Sequence, residues 1–441
     1  MARSFRIFRM WGGAIPEVME ELYGSDPRLA QAPYEHQMRR FFQRRSTFSN
    51  YFSRCMGDMG HEVMEVVFDH EPAQRAWARE HDVAWNDQTW QSDIPLAQMQ
   101  LFKPDILNLH SLVNIPGGIG AEAKALCPSI KMVAAFVGSK IYEYQYEGVD
   151  FIMTGVLPLV EQFRARGIET HLVYHAFDQS VAGLMEERQT ANAIRHPFTF
   201  IGTSGFAYHD YFQKRYWLLI ELLIRTHLEA WVTDGEQLMP KTHTMNWSVL
   251  ESMRARLIGQ AEQEQSIEQL QVFMAKIVGS MTASMTRNVI EEYQRFVVPA
   301  DHKATPLLPV IPLTKVIPEK CHPPVYGLDF YDLLWRSDVS LNVEADINMG
   351  ATANMRMFEA TGMGTCLLTE QTPNIVDLFE PDREVVTYGS TEECIEKSRF
   401  LLNNPKVRRE IAAAGRARTL RDHTVEQRCV EIDSLFQRFV Q

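Results

Sequence analysis

Short apolar runs that alternate with helical periodicity limit this chain more than any other feature. "FRIF" (5–8), Glu62 to Phe68, "PDILNLHS" (104–111), "KMVAAFV" (131–137) and "DFIMTG" (150–155) are strand-length segments bounded by turn signals. Between them lie helical patterns such as "LPLVEQFRARG" (157–167), which stops at Gly167. Such alternation predicts βαβ units and a parallel sheet, a doubly wound arrangement with helices on both faces.

A second α/β unit opens at "FTFIGTSG" (198–205), where a strand runs into a glycine-bearing loop and then the helical "YFQKRYWLLIELLIRTH". At 441 residues the chain exceeds one ordinary core, so two domains are expected, 1–180 and 181–441. Over about 246–298 the pattern is helical throughout, followed by a proline-rich return. That segment reads as a helical insertion in the second domain, with homo-oligomer assembly as one role. Sheet and helix alternation resumes at "FYDLLWRSDVSLNVEAD" and ends on "REVVTYG" as an edge strand. "STEE" and "TVEQ" match capping boxes and predict helices starting after Ser390 and Thr424.

Several function classes are disfavoured. A net charge of −12 argues against nucleic acid as a partner. The six cysteines have no CxxC spacing, which fits a reducing cytoplasm better than a disulfide framework or zinc site. No signal peptide or membrane-spanning run is legible. One local exception is "HQMRRFFQRR" (36–45), whose arginines and phenylalanines offer a peripheral membrane contact; a helix with a solvated basic face and two core Phe is favoured over it. No carboxylate pair is spaced for glycoside hydrolysis, and "DGE" (234–236) is not a DxD-type metal motif, so no metal is expected.

Within "NMRMFEATGMGTCLLTE" (354–370), Arg356 and Glu359 are charges in an otherwise apolar segment. A helix beginning near Thr352 puts them on one face, apart from the packing positions Met355, Phe358 and Gly362. "SLNVE" (340–344) delivers the chain to the carboxyl edge of a sheet, where ligands of open α/β folds collect. A helix N-terminus with Arg356 in its first turn suits a phosphate there. The competing reading is a surface ion pair of little energetic weight. Gly202 and Gly205 would let backbone approach phosphate oxygens. In the first half, His110 ends a strand, and Gly12 and Gly13 form the loop after the first strand; all three are candidates for the cleft. Asp105 and Glu143 are candidate bases for the acceptor, while His175 and Asp178 fall at the interdomain crossover as hinge residues.

"MFEATGMGTCLLTE" and "LFEPDREVVTYGSTEECIEKSRFLLNNPKVRREIAAAGRARTLRDHTVEQRC", with the upstream "PPVYGLDFYDLLWRSDVSLNVE", resemble the donor-binding half of B-type glycosyltransferases, specifically the group-1 or family-4-like branch that includes CgeB-like proteins. The resemblance is specific over about Pro323 to Asp433, holds as a pattern without motifs over Pro104 to Gly205, and is absent for the insertion. It implies two facing Rossmann-like domains, an N-terminal acceptor domain and a C-terminal donor-nucleotide domain, with the last helix (about 425–440) packing back on the first. It implies sugar transfer from a UDP-, GDP- or dTDP-linked donor without a further cofactor, with retention at the anomeric carbon. By resemblance, Glu359 accepts hydrogen bonds from the donor ribose, and Gly327 belongs to a turn beside the nucleotide pocket. A basic residue after the first donor-domain strand neutralises the leaving diphosphate; Arg215 is that residue, with Lys214 second and His209 a helper. Some retaining relatives carry a histidine at the strand end that His110 occupies. Many members have a second glutamate eight positions before the first, where this chain has Ala351. A nucleotide-sugar epimerase of the same fold, or a non-catalytic nucleotide-binding partner, are the alternatives.

Overall fold

A computed structural model describes residues 3–46, 48–110, 115, 118–138, 146–188, 194–205, 213–234 and 312–440. The insertion expected over 246–298 lies outside the described residues, as do Glu143 and His209. The first sheet holds six parallel strands: β1 (Arg6–Trp11), β2 (Glu62–Val67), β3 (Ile106–His110), β4 (Met132–Phe136), β5 (Phe151–Thr154) and β6 (Thr170–Leu172). They are ordered β2-β1-β3-β4-β5-β6. β3, β4 and β5 are buried along their whole length, because helices cover both faces, and this is why they read as unbroken apolar runs.

The second sheet contains β7 (His196–Thr203), β8 (Leu228–Thr233), β9 (Cys321–His322), β10 (Ser337–Asn342), β11 (Cys366–Glu370) and β12 (Val386–Tyr388), also parallel. Its order is β12-β11-β10-β7-β8-β9. The chain leaves β7 in one direction through β8 and β9, then crosses back to place β10 on the other side of β7. That reversal opens a crevice between the carboxyl ends of β7 and β10, the place where doubly wound sheets bind ligands.

Thr424 caps the helix Val425–Phe439 with a full capping box to Gln427. Val425, Cys429, Ile432 and Phe436 from that helix join Phe5, Ile7, Phe52 and Phe151 in one core, so the C-terminal helix packs on the first domain. At the crossover, Phe177 N–H donates to His423 O (2.9 Å) and Val425 N–H donates to Phe177 O (3.0 Å). Gly362 leaves room for the Phe177 ring, since a Cβ there would lie 2.4 Å from it.

The basic stretch 36–45 folds inward. Phe41 is in the core, Arg40 and Arg44 pair with Asp26 and Glu21, and Arg45 points to the interdomain cleft. This is the helix with a core Phe, and three of its four arginines find partners or a cleft within the protein, while Arg39 is exposed. Among the described residues no helix is long and apolar enough to cross a membrane.

Candidate active site

The crevice at the β7/β10 reversal widens into a cleft of about 560 Å³ between the two domains. Its floor is the ends of the two strands, Phe200 to Thr203 and Leu341 to Val343. One wall is Val325, Tyr326, Gly327, Phe330 and Tyr331; the other is the loop through Asn348 and Asn354 to Arg356 and Glu359. Arg45, Gly138 and His175 close it from the first domain.

Arg215 rises from the helix Gln213–Arg225 and ties the two strand ends together. Its Nη1 donates to Thr203 Oγ1 (2.9 Å) and its Nη2 to Val343 O (2.6 Å). Burial lowers its pKa to about 10, against the attraction of Glu344 and Glu370. A fixed, buried cation therefore lines the cleft at the switch point.

The helix carrying Arg356 and Glu359 spans Arg356–Gly362 and begins later than the sequence indicates. Thr352 is held elsewhere: its N–H donates to Asn374 Oδ1 (2.8 Å) and its carbonyl accepts from Asn374 Nδ2 (2.9 Å). Asn354 then accepts from the Arg356 N–H (2.8 Å), which starts the helix there. Arg356 Nη1 lies 3.4 Å from Glu359 Oε2, and the guanidinium sits 4.1 Å over the Phe330 ring. With side chains only 21% and 12% accessible, this is not a solvated surface pair. Burial pulls the Glu359 pKa up, opposed by Arg356 and the Tyr331 hydroxyl, and burial pulls the Arg356 pKa down, opposed by Glu359.

Gly202 and Gly327 also line the cleft. Gly327 has a second task, since it is left-handed (φ +58) and a Cβ there would lie 2.1 Å from Arg44 O. The adjacent Leu328 N–H donates to the same carbonyl (3.1 Å), so this helix end docks on first-domain backbone. Gly205 (φ +91) follows β7 and is absent from the described lining. Lys214 is 83% exposed, 3.9 Å from Asp346, and does not line the cleft.

The first-domain candidates fall differently. His110 does end β3, beside Trp11 of β1, but its ring is enclosed between Phe48 (4.2 Å, edge-on) and Phe136 (4.7 Å, stacked), and it is not among the cleft-lining residues. Burial, with Arg9 and His175 nearby, pushes its pKa well down, and it stays neutral. His175 lines the cleft instead; burial and then Arg428 push its pKa down to about 4. Gly12 and Gly13 are absent from the described lining, and the Gly13 and Ala14 N–H groups donate to the Asp69 carboxylate (3.0 and 3.2 Å). Asp105 precedes β3, at the amino edge of the sheet, where it binds the Arg6 N–H and Lys131; it cannot serve as a base at the carboxyl edge.

Sequence reasoning missed the polar network beneath the cleft. Glu344 accepts from Asn342 Nδ2 (3.0 Å), Asn348 Nδ2 (2.9 Å) and the Ala353 N–H (3.4 Å). Its own N–H donates to Glu370 Oε2 (2.6 Å), and Asn354 Nδ2 donates to Asn342 Oδ1 (2.6 Å). Burial raises the pKa of both carboxyls. The signal was the glutamate closing "SLNVE", on the strand edge itself.

Comparisons with known proteins agree with this geometry. The family model described as "Glycosyl transferase-like" matches residues 265–434. The Anabaena protein HepE, solved with UDP-glucose, superposes with a TM-score of 0.51 at 9% identity, covering 98% of this chain and 100% of that one. A glycosyltransferase from Rickettsia africae superposes with a TM-score of 0.50 at 8% identity, covering 100% and 99%. At such identities the likeness shows the fold. No curated protein matches the sequence. Two six-stranded parallel sheets facing one cleft give this chain the B-type fold of two Rossmann-like domains, and its residues 265–434 are similar to the glycosyl transferase-like family model.

Proposed function

We propose that the protein transfers a sugar from a nucleotide-sugar donor to an acceptor held on the first domain. The observation that carries this reading is the convergence of Arg215, Arg356 and Glu359 on one cleft at the β7/β10 switch point. Two guanidiniums match the charge of a diphosphate, and one carboxylate matches a pair of ribose hydroxyls. HepE, which shares the fold, was solved with UDP and glucose and with UDP-glucose, in keeping with a UDP-linked donor here.

In this reaction an acceptor hydroxyl oxygen forms a bond to the anomeric carbon as the bond from that carbon to the diphosphate oxygen breaks; the leaving oxygen gains negative charge, and the acceptor proton passes to the departing diphosphate. Arg215, already fixed to both strand ends, meets that charge without reorganising. Glu359 orients the nucleotide. The cleft's own guanidiniums can supply the positive charge a metal would otherwise bring, which supports transfer without a metal, and retention at the anomeric carbon follows only the family resemblance. His110, enclosed by aromatic rings, acts at most through its neighbours, and His175, which lines the cleft, is the better-placed histidine.

The test is thermal protection by a panel of UDP-, GDP- and dTDP-sugars, followed by turnover with the stabilising donor in the presence and absence of a chelator. One class of donor is expected to raise Tm, with Glu359→Ala abolishing the rise and chelation leaving turnover intact. No protection by any donor, together with an unchanged Glu359→Ala variant, refutes the reading. Donor conversion without any acceptor would favour the epimerase.

A further inference from the structure

Arg45 enters the cleft from the opposite domain. It is left-handed (φ +54), and the carbonyl before it is the one that holds the Leu328 N–H. The segment is therefore fixed against the donor-side domain while belonging to the other. Its guanidinium is 3.3 Å from Asn50 Oδ1 and 3.5 Å from Asp178 Oδ2.

Asp178 does not need it. Arg54 Nη2 donates to Asp178 Oδ1 at 2.7 Å, and the Ser180 hydroxyl (2.7 Å) and N–H (3.1 Å) donate to the same oxygen. A charge-assisted hydrogen bond is normally about 2.7–2.9 Å, so the Arg45 contact is the long and replaceable one. If Arg45 moves, Asp178 stays compensated by Arg54. Of the other cleft cations, Arg215 is committed to Thr203 and Val343, while Arg356 stands 3.4 Å from Glu359. Arg45 also borders a separate first-domain groove of about 840 Å³, so it stands where the two cavities meet.

We propose that Arg45 exchanges Asp178 for a phosphate oxygen of the donor diphosphate, so that a first-domain cation shares the donor with the second domain. The inference rests on the nucleotide-sugar reading above. Arginine presents five donors and no acceptor in a planar fork, which matches a phosphate and gains little from a neutral sugar or base. A diphosphate offers more charge than the shared carboxylate that Arg45 gives up.

Calorimetry on the full chain tests this, using UDP, GDP or dTDP, whichever protects the wild type, against the matching nucleoside without phosphate. In Arg45→Met the diphosphate Kd is expected to rise about tenfold or more, with the nucleoside Kd unchanged and Arg45→Lys recovering part of the loss. The unliganded Tm should stay near wild type, because Arg54 keeps Asp178. If Arg45→Met does not fold, Arg45→Lys carries the test: one ammonium in place of the fork should weaken the diphosphate alone. A diphosphate Kd within about twofold of wild type overturns the proposal, as does an equal loss for the nucleoside, which would mark Arg45 as structural. If no nucleoside diphosphate binds the wild type, the donor reading itself fails and this inference falls with it.

Discussion

Gly327→Ala is the most informative single change in the molecule. An added Cβ would lie 2.1 Å from Arg44 O, 3.1 Å from Arg44 C and 3.5 Å from Ser46 N, all backbone of the opposite domain. Relief needs a displacement of roughly 1 Å, and no flexible side chain is available to absorb it. The left-handed φ of +58 adds about 1–2 kcal/mol for any residue with a Cβ. Losing the Leu328 N–H to Arg44 O bond adds about 1 kcal/mol. The domains should separate at this contact, misplacing Arg45 and the Tyr331 wall relative to the opposite side of the cleft. A misplacement of about 1 Å across a reacting cleft is worth about a hundredfold in rate. Turnover of the stabilising donor, read as kcat/KM, should fall by that order, and Tm should fall with it. Gly24→Ala is the control, because a Cβ there meets nothing within 4 Å. A Gly327→Ala protein with wild-type kcat/KM and Tm would refute the claim that this backbone contact sets the cleft.

Two further outcomes follow from the same physics. Glu344→Ala removes the acceptor for Asn342, Asn348 and the Ala353 N–H; it should cost about 2–4 kcal/mol in urea denaturation and weaken donor binding, with Glu344→Gln recovering part. Loss of neither would show that the cleft floor does not depend on this carboxylate. His70 is held neutral, its pKa pushed from 6.5 down to about 4 by burial. Its unfolded form therefore takes a proton first, and stability drains away as pH falls from about 6.5 toward 4, by up to about 1.4 kcal/mol per pH unit. His70→Asn keeps a side-chain acceptor for the Ala73 N–H while removing the titration, so the fall in stability between pH 7 and 5 should become shallower; an unchanged slope would sink the assignment.

What the sequence makes legible is local. β3, β4 and β5 are covered on both faces, so their apolar runs announce them. Ser390 and Thr424 carry their cap partners three residues away, within reach of a motif. Arg356 and Glu359 are conspicuous because charge breaks an apolar helix. What stays hidden depends on partners distant in sequence. The late helix start follows from Asn374 holding Thr352, 22 residues apart. The Gly13 N–H is taken by Asp69, 56 residues on, and His110 is enclosed by Phe48 and Phe136. Arg45 gives no local sign of a cleft role, since its short-range context is that of a basic helix end.

The energetics of Arg356 and Glu359 bear on why such charges persist. Their pKa values move in opposite directions, up for the acid and down for the base, and for both the largest cause is burial. Desolvation thus outweighs their mutual attraction in the free protein, as expected for a pair at 3.4 Å without good hydrogen-bond geometry. Arg356 Nη1 is buried without a hydrogen-bond partner among the described residues, and the Tyr331 hydroxyl reaches Glu359 only at 3.4 Å. A pair kept for stability alone would be better replaced by apolar side chains of the same volume. Under-satisfied charges at the mouth of a cleft gain instead when a ligand supplies the missing partners, an oxyanion for Arg356 and hydroxyl donors for Glu359. On the proposed donor reading, the desolvation penalty of the pair and its affinity for a nucleotide have one origin, and the donor-bound protein should be more stable than the free one by more than the area of contact alone would give.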